Sequence, residues 1–183
     1  NSGDLTERAK VKELLEASGI PYYVEESLTN LGFAGGHNAL MQQHQDEFIL
    51  LLNEDAYLDP GHLEVCLARF EADAKCAAVA GLVYRWSAPV DQEEAVSDTT
   101  LLDTTALIYR CLAHVIDRDA GRSWGEVKAL LKEPHTVFGV SGAVSMFRRS
   151  HIESVAPDRL MFDPSFFMYR EDVDLTLRLR RKG

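Results

Sequence analysis

Phe48-Ile49-Leu50-Leu51-Leu52 runs directly into Asn53-Glu54-Asp55, five apolar residues followed by an amide and two acids. An unbroken apolar run of this length, ended by polar residues, marks a strand buried on both faces. Upstream, Asn30-Leu31-Gly32-Phe33-Ala34-Gly35-Gly36-His37-Asn38 reads as a glycine-rich turn that passes into a helix from Ala39 to His44. Downstream, Asp59-Pro60 suits a capped first helical turn. Leu63, Cys66, Leu67 and Phe70 then follow at i, i+3, i+4 and i+7, one helical stripe. Ala77 to Tyr84 is a second apolar run, read as a core strand. Helices alternating with buried strands predict an α/β domain whose mostly parallel sheet is flanked by helices. Ligands of such sheets bind beyond the carboxyl ends of the strands, and Asn53-Glu54-Asp55 sits at one such end.

The flanks are read in the same way. Asp4 and Glu7 have capping-box spacing, Val11, Leu14, Leu15 and Ser18 share a face, and Gly19 with Pro21 stops that helix. Ile20 to Glu25 reads as a short strand. Ser87 to Asp103 is polar and acidic, a surface loop. Ala106–Tyr109 with Ala113–Ile116 suits a hairpin, and Ser123-Trp124-Gly125-Glu126 repeats the capping-box spacing before a short helix. At the C-terminal end, Val173, Leu175, Leu177 and Leu179 alternate as in a strand. Acids at the start of that segment and bases at its end match the helix dipole instead, so a helix is expected.

Composition excludes several function classes. The chain has 183 residues, enough for one domain with a true core. It holds no apolar run near the roughly 20 residues that cross a bilayer. A net charge of −10 disfavours non-specific nucleic-acid binding, which depends on basic residues neutralising phosphates. The cluster Arg178, Arg180, Arg181 and Lys182 reads first as a solvated helix end, with peripheral membrane contact as the secondary reading. Cys66, Cys76 and Cys111 are odd in number and lack C-x-x-C spacing, which points to reduced, buried thiols in a cytoplasmic protein. Asn1-Ser2-Gly3-Asp4 has neither a basic start nor an apolar stretch, so it is not a signal peptide.

Two acidic segments carry the chemistry. An acid just past a buried strand suits a divalent cation that carries phosphates. Phe166-Phe167-Met168-Tyr169-Arg170-Glu171-Asp172-Val173-Asp174 is an aromatic cluster running into carboxylates, which suits a base facing a sugar. Each has a plainer reading: Asp55 as a strand-ending cap, Glu171 and Asp172 as acids favoured at a helix start, and the aromatics as core.

In their order and spacing, four motifs resemble family 2 glycosyltransferases of the GT-A (Rossmann-like) fold, especially bacterial enzymes of the rhamnosyltransferase type. They are the glycine-rich stretch at 30–38, Leu50 to Asp55, Gly139-Val140-Ser141-Gly142-Ala143 with Phe147-Arg148-Arg149-Ser150, and Phe162-Asp163 through Leu175. The resemblance implies transfer of a sugar, rhamnose in that subgroup, from a nucleotide-diphosphate donor to a hydroxyl of a glycan or lipid-linked acceptor. It implies an inverting reaction in polysaccharide biosynthesis. It also implies one catalytic domain over residues 1–183, truncated at both ends, with N-terminal strands and a C-terminal part lying outside this span.

By the same resemblance Asn53-Glu54-Asp55 occupies the place of the family's D-x-D motif. Asp55 is its metal position, for Mg2+ or Mn2+, and Asn53 departs from the usual Asp, contributing no charge. Asp172 is the implied general base and Glu171 its support. Gly36, His37, Asn38, Asn53, Glu54 and Gly142 are implied neighbours of the nucleotide-sugar, and Phe167 and Tyr169 of the acceptor. The implied location is cytoplasmic, associated with the cytoplasmic face of a membrane. Two rival readings are a non-catalytic nucleotide- or glycan-binding module and a sugar nucleotidyltransferase. The second needs a basic, glycine-rich triphosphate loop, and none is visible.

Overall fold

A computed structural model of the chain describes residues 5–86, 96–111, 114–131 and 134–183, with the side chains of 5–7 and 157 outside the description. The expected Asp4–Glu7 capping box and residues 87–95 of the expected loop lie outside the described residues. The chain divides into two compact units, Asn1–Gln45 with Ala156–Glu171, and Asp46–Val155 with Asp172–Gly183.

The first unit opens with α1 (Leu5–Ser18), which stops where Gly19 takes a left-handed φ of 67°. That is the expected glycine C-terminal signal. Its expected apolar face is largely bare: Val11 is 51% and Leu14 71% exposed. The helix is tied to the following segment by a Lys12–Glu26 ion pair and by Arg8 Nη2 donating to the Ser27 carbonyl at 3.3 Å. Residues 20–25, expected as a strand, are irregular. Among the described residues no neighbouring strand pairs with them, and extended backbone without a ladder is not a strand.

The glycine-rich stretch corrects a second expectation. It is not a turn leading into a helix but the helix itself, α2 (Gly32–Gln43). Asn30 Oδ1 accepts the Gly32 N–H at 2.8 Å, and the Phe33 N–H donates to the Phe167 carbonyl at 2.9 Å. Gly32, at φ 69°, lies against Phe167: a Cβ there would stand 2.7 Å from Cδ2 of that ring and closer still to its carbonyl oxygen. Ala34, Asn38 and Met41 are buried along α2, Met161 and Phe162 are buried in the same unit, and Asn38 is hydrogen-bonded to Phe162.

The second unit is built on β1 (Phe48–Leu52), a strand where one was expected but not one buried on both faces: among the described residues it is an edge strand, in which Leu51 is buried and Leu52 exposed. It is followed by α3 (His62–Ala72), whose first residue comes after Gly61 rather than at Pro60. The expected core strand at 77–84 is split into β2 (Ala78–Val79) and β3 (Val83–Tyr84), which join different sheets. β3 pairs with β4 (Leu102–Thr104), which begins inside the segment expected as loop. The expected hairpin forms as β5 (Leu107–Arg110) and β6 (His114–Asp117), registered Leu107 to Asp117 through Arg110 to His114; Ala113 lies outside the described residues, and Cys111, expected to be buried, is exposed just past β5. The expected capping box closes α4 (Trp124–Val127): Ser123 N and Oγ both donate to Glu126 Oε2, at 2.8 and 2.9 Å.

The central sheet has the order β1-β7-β2, with β7 (Val144–Arg148) in the middle. The mostly parallel sheet is therefore corrected: every registered strand pair among the described residues is antiparallel. β1 and β2 do run the same way with α3 between them, because each is antiparallel to β7. The apolar run of β1 marks a strand but fixes neither burial on both faces nor the direction of its neighbour. Cys66 and Phe70 of α3 pack on Met146, with Phe48, Leu50 and Val79 around them. Phe48 stacks on Phe70 at 4.8 Å, and the Arg148 guanidinium lies over both rings while donating to the Phe70 carbonyl at 2.7 Å.

After β7 come α5 (Arg149–Val155) and α6 (Glu171–Lys182), the expected C-terminal helix. Its basic end is not simply solvated. Arg178 donates to Asp174 at 2.8 Å, Arg180 to the Val137 and Phe138 carbonyls, and Lys182 to the Ser154 carbonyl at 2.9 Å. Positive heads near a helix C-terminus that also reach carbonyls of neighbouring segments tie the helix down. Among the described residues no helix is long and apolar enough to cross a membrane.

Candidate active site

β1 leaves its ladder at Asn53. Its N–H makes one more bond, to the Ala143 carbonyl at 2.9 Å, and its carbonyl then accepts from Ala56 N at 3.1 Å. A turn results, with Asn53 half-buried at its base and Glu54 and Asp55 exposed at its tip. The turn exists because apolar strand residues give way to polar ones where Ser141-Gly142-Ala143 approaches β7.

The neighbour of Ala143 serves the other acidic segment. The buried Gly142 donates its N–H to Asp172 Oδ2 at 3.1 Å, while Asp172 Oδ1 accepts the Val173 N–H at 2.8 Å. Val173 lies in the first turn of α6, where backbone N–H groups have no partner inside the helix. The Asp172 carboxylate, half-buried, thus holds the start of α6 and the Ser141–Ala143 segment together. Two successive residues of one backbone segment hold Asn53 and Asp172, which are far apart in sequence. Asn53, Glu54, Asp55, Gly142 and Asp172 all lie in the second unit.

The other expected residues belong to the first unit. Gly36 lies past the first turn of α2, so its N–H enters the helical ladder rather than facing a ligand. His37 Nδ1 donates to the Phe33 carbonyl at 2.9 Å, and its ring packs on Phe33 at 4.1 Å and edge-on to Phe162 at 6.0 Å. Burial pushes its imidazole below the usual range, opposed in part by that hydrogen bond. The Asn38 amide is shared with one buried residue: Nδ2 donates to the Phe162 carbonyl at 2.8 Å, and Phe162 N donates to Oδ1 at 2.9 Å.

Phe167 and Tyr169 are both exposed, Tyr169 by 76%. Tyr169 and Arg170 have φ values of 70° and 74°. Two successive non-glycine residues in the left-handed region are uncommon, and such strain persists only where surrounding structure enforces it. Glu171, the first residue of α6, is buried.

Two features escaped the sequence. Tyr57 and Trp86 form a tilted pair at 5.5 Å, and they are 59% and 43% exposed. Tyr57 follows Asp55 by two residues, a local hint, but nothing local announces Trp86 as its partner. Thr176, buried one turn after Asp172, lies against Gly139. Among the described residues no group of three or more His, Cys, Asp or Glu side chains converges as a metal cage. A hard cation that carries phosphates needs only one or two protein carboxylates, and the exposed Glu54 and Asp55 fit that requirement.

A family model described as glycosyl transferase family 2 matches residues 6–156, most of the chain and all of the segment from α2 to β7. Neither a curated protein nor a solved structure gives a significant match.

Proposed function

Because the chain belongs to glycosyl transferase family 2, whose members take sugars from nucleotide-sugar donors, we propose that its second unit carries an inverting transfer site in which Asp172 is the base. The observation that supports this reading most is the Ser141–Ala143 segment, with Asn53 bonded to Ala143 and Asp172 to Gly142.

In this proposal the acceptor hydroxyl gives its proton to the Asp172 carboxylate. The acceptor oxygen attacks the anomeric carbon of the donor, the bond from that carbon to the diphosphate breaks, and the nucleoside diphosphate leaves. Asp172 has the needed form: its oxygens are fixed by two backbone N–H groups, and it is not sealed from solvent. Holding a base in one position supplies the alignment that general-base catalysis requires. Buried Glu171 supports the start of α6.

Asp55, with Glu54 beside it, is the proposed seat of Mg2+ or Mn2+, and Asn53 anchors the turn. When bound, such a cation stabilises the charge growing on the leaving diphosphate. Gly142 forms backbone wall beside the base. Phe167 and Tyr169, exposed in the first unit, remain residues to test by their effect on acceptor KM. Gly36, His37 and Asn38 are used up inside α2 and its packing, so the proposal keeps them as supports of that helix rather than as ligands. Rhamnose is the donor sugar to test first, and a glycan or lipid-linked hydroxyl the acceptor.

The test is Asp172→Asn in the full-length protein, followed by release of nucleoside diphosphate. Turnover is expected to fall about 10²- to 10⁴-fold, the usual worth of a positioned base. Near-normal turnover would remove Asp172 from the mechanism. Asn53, which adds no charge in the place of the D-x-D motif, favours a second reading, nucleotide binding without transfer. Calorimetry with uridine and thymidine diphosphates, with and without Mn2+, separates the two when set beside the turnover assay.

A further inference from the structure

Gly139 is a glycine for an unusual reason. It shows no left-handed φ, so backbone conformation does not demand it. What demands it is Thr176. A Cβ on Gly139 would stand 2.6 Å from Thr176 Cγ2, 3.0 Å from its Cβ and closer still to its hydroxyl. Real Cβ atoms do not come so near another side chain, so even alanine would displace one partner.

Gly139 is not the partner that yields. Its carbonyl accepts the Leu107 N–H at 2.9 Å, forming a bridge to the β5–β6 hairpin. The element left to move is α6. Thr176 and Asp172 are four residues apart on that helix and therefore share one face. The residues they meet, Gly139 and Gly142, are three apart on the facing segment. The helix thus sits on two points: a steric seat at Gly139 and a hydrogen bond at Gly142.

We propose that Gly139 and Thr176 are positioning residues that set how deeply α6 is seated, and so where the Asp172 carboxylate lies. This rests on the reading of Asp172 as the base. A Cβ at Gly139 lifts the helix at its second turn. The 3.1 Å bond from Gly142 N to Asp172 Oδ2 has little room to lengthen before it ceases to be a hydrogen bond. The effect falls on alignment rather than on binding, because neither residue is proposed to touch substrate.

The experiment compares wild type, Gly139→Ala, Thr176→Ala and Gly139→Ala/Thr176→Ala in the full chain. The first readout needs no ligand: hydrogen exchange at the Gly142 amide. It is expected to quicken at least about tenfold in Gly139→Ala and to return part of the way toward wild type in the double variant, where the Thr176 methyl and hydroxyl are gone and only the 3.0 Å Cβ contact remains. The second readout is release of nucleoside diphosphate from thymidine diphosphate rhamnose. Expected is a kcat loss of about 10- to 100-fold, the scale of a sub-ångström to ångström misplacement, with acceptor KM within about twofold and kcat partly recovered in the double variant. If Gly139→Ala fails to fold, Thr176→Val gives a gentler push by placing a methyl where the hydroxyl was, and a smaller change of the same sign is expected. Unchanged Gly142 exchange in both single variants overturns the proposal, as does a double variant no better than Gly139→Ala. Normal turnover in Asp172→Asn, with Gly142 exchange behaving as expected, would instead reject the base and leave the seat intact.

Discussion

Replacing Asn38 by alanine separates a supporting role from a ligand role by magnitude. The side chain is buried, and it satisfies both the N–H and the carbonyl of Phe162, itself fully buried, across 124 residues of sequence. Removing the amide strands two backbone groups where water does not reach them. Each stranded group costs about 1–3 kcal/mol, so the expected loss is about 2–6 kcal/mol. Small proteins hold only about 5–15 kcal/mol in total, so this one change threatens the first unit. Asn38→Asp keeps an acceptor for Phe162 N but turns an oxygen toward the Phe162 carbonyl, so it should also destabilise. Urea unfolding followed by circular dichroism gives the loss, and hydrogen exchange at the Phe162 amide gives its location. A loss under about 0.5 kcal/mol with Phe162 exchange unchanged would refute the reasoning, since that lies within the scatter of ordinary surface changes. A selective loss of nucleotide affinity would then return Asn38 to the donor site.

His37 gives a pH dependence of definite sign. Its folded imidazole is held below the usual value by burial, while the unfolded chain takes up its proton near about pH 6.5. Stability from this group is therefore complete above that pH and falls as pH drops toward the folded value, because the unfolded state binds more protons. Thermal unfolding of His37→Phe should show a flatter acid slope than wild type, and identical slopes would count against the burial argument. Tyr169→Gly should relieve a left-handed penalty of about 1–2 kcal/mol, partly offset by about 0.5–1 kcal/mol of extra chain freedom in the unfolded state. Little burial is lost from so exposed a ring. A small gain in melting temperature with poorer acceptor use is expected, and clear destabilisation would show that the ring holds the loop.

What the sequence made legible was apolar patterning and charge order; pairing over distance was not. β1 appeared as five apolar residues, and α6 as acids before bases, because both patterns are local. The same logic misread Ile20 to Glu25, where β propensity is real but no neighbour supplies a ladder. It took Ala77 to Tyr84 as one strand, although the chain passes from one sheet to another between Val79 and Val83. Strand direction was also hidden, since β7 enters between β1 and β2 from more than sixty residues downstream. In the glycine-rich stretch, propensity pointed to a turn, yet tertiary packing of Ala34, Asn38 and Met41 makes it helical. In the candidate site, Asp55 and Asp172 were visible as residue types past a strand and at a helix start. The tie of Asn53 to Ala143 and of Asp172 to Gly142, the partnership of Tyr57 with Trp86, and the seat of Thr176 are contacts between distant segments with no local mark.

The double use of Ser141 to Ala143 restricts how the gene can change in length. β7 pairs along both edges and Val144 to Phe147 are all buried, so one residue inserted or deleted between Gly139 and Val144 would shift either the register of that strand or the 140–143 segment before it. The same slip would detach Asn53 from Ala143 and Asp172 from Gly142 in one event. Insertions at the tip of the β5–β6 hairpin carry no such double penalty. Descendants of this chain should therefore vary in size there and keep the Gly139–Val144 interval constant.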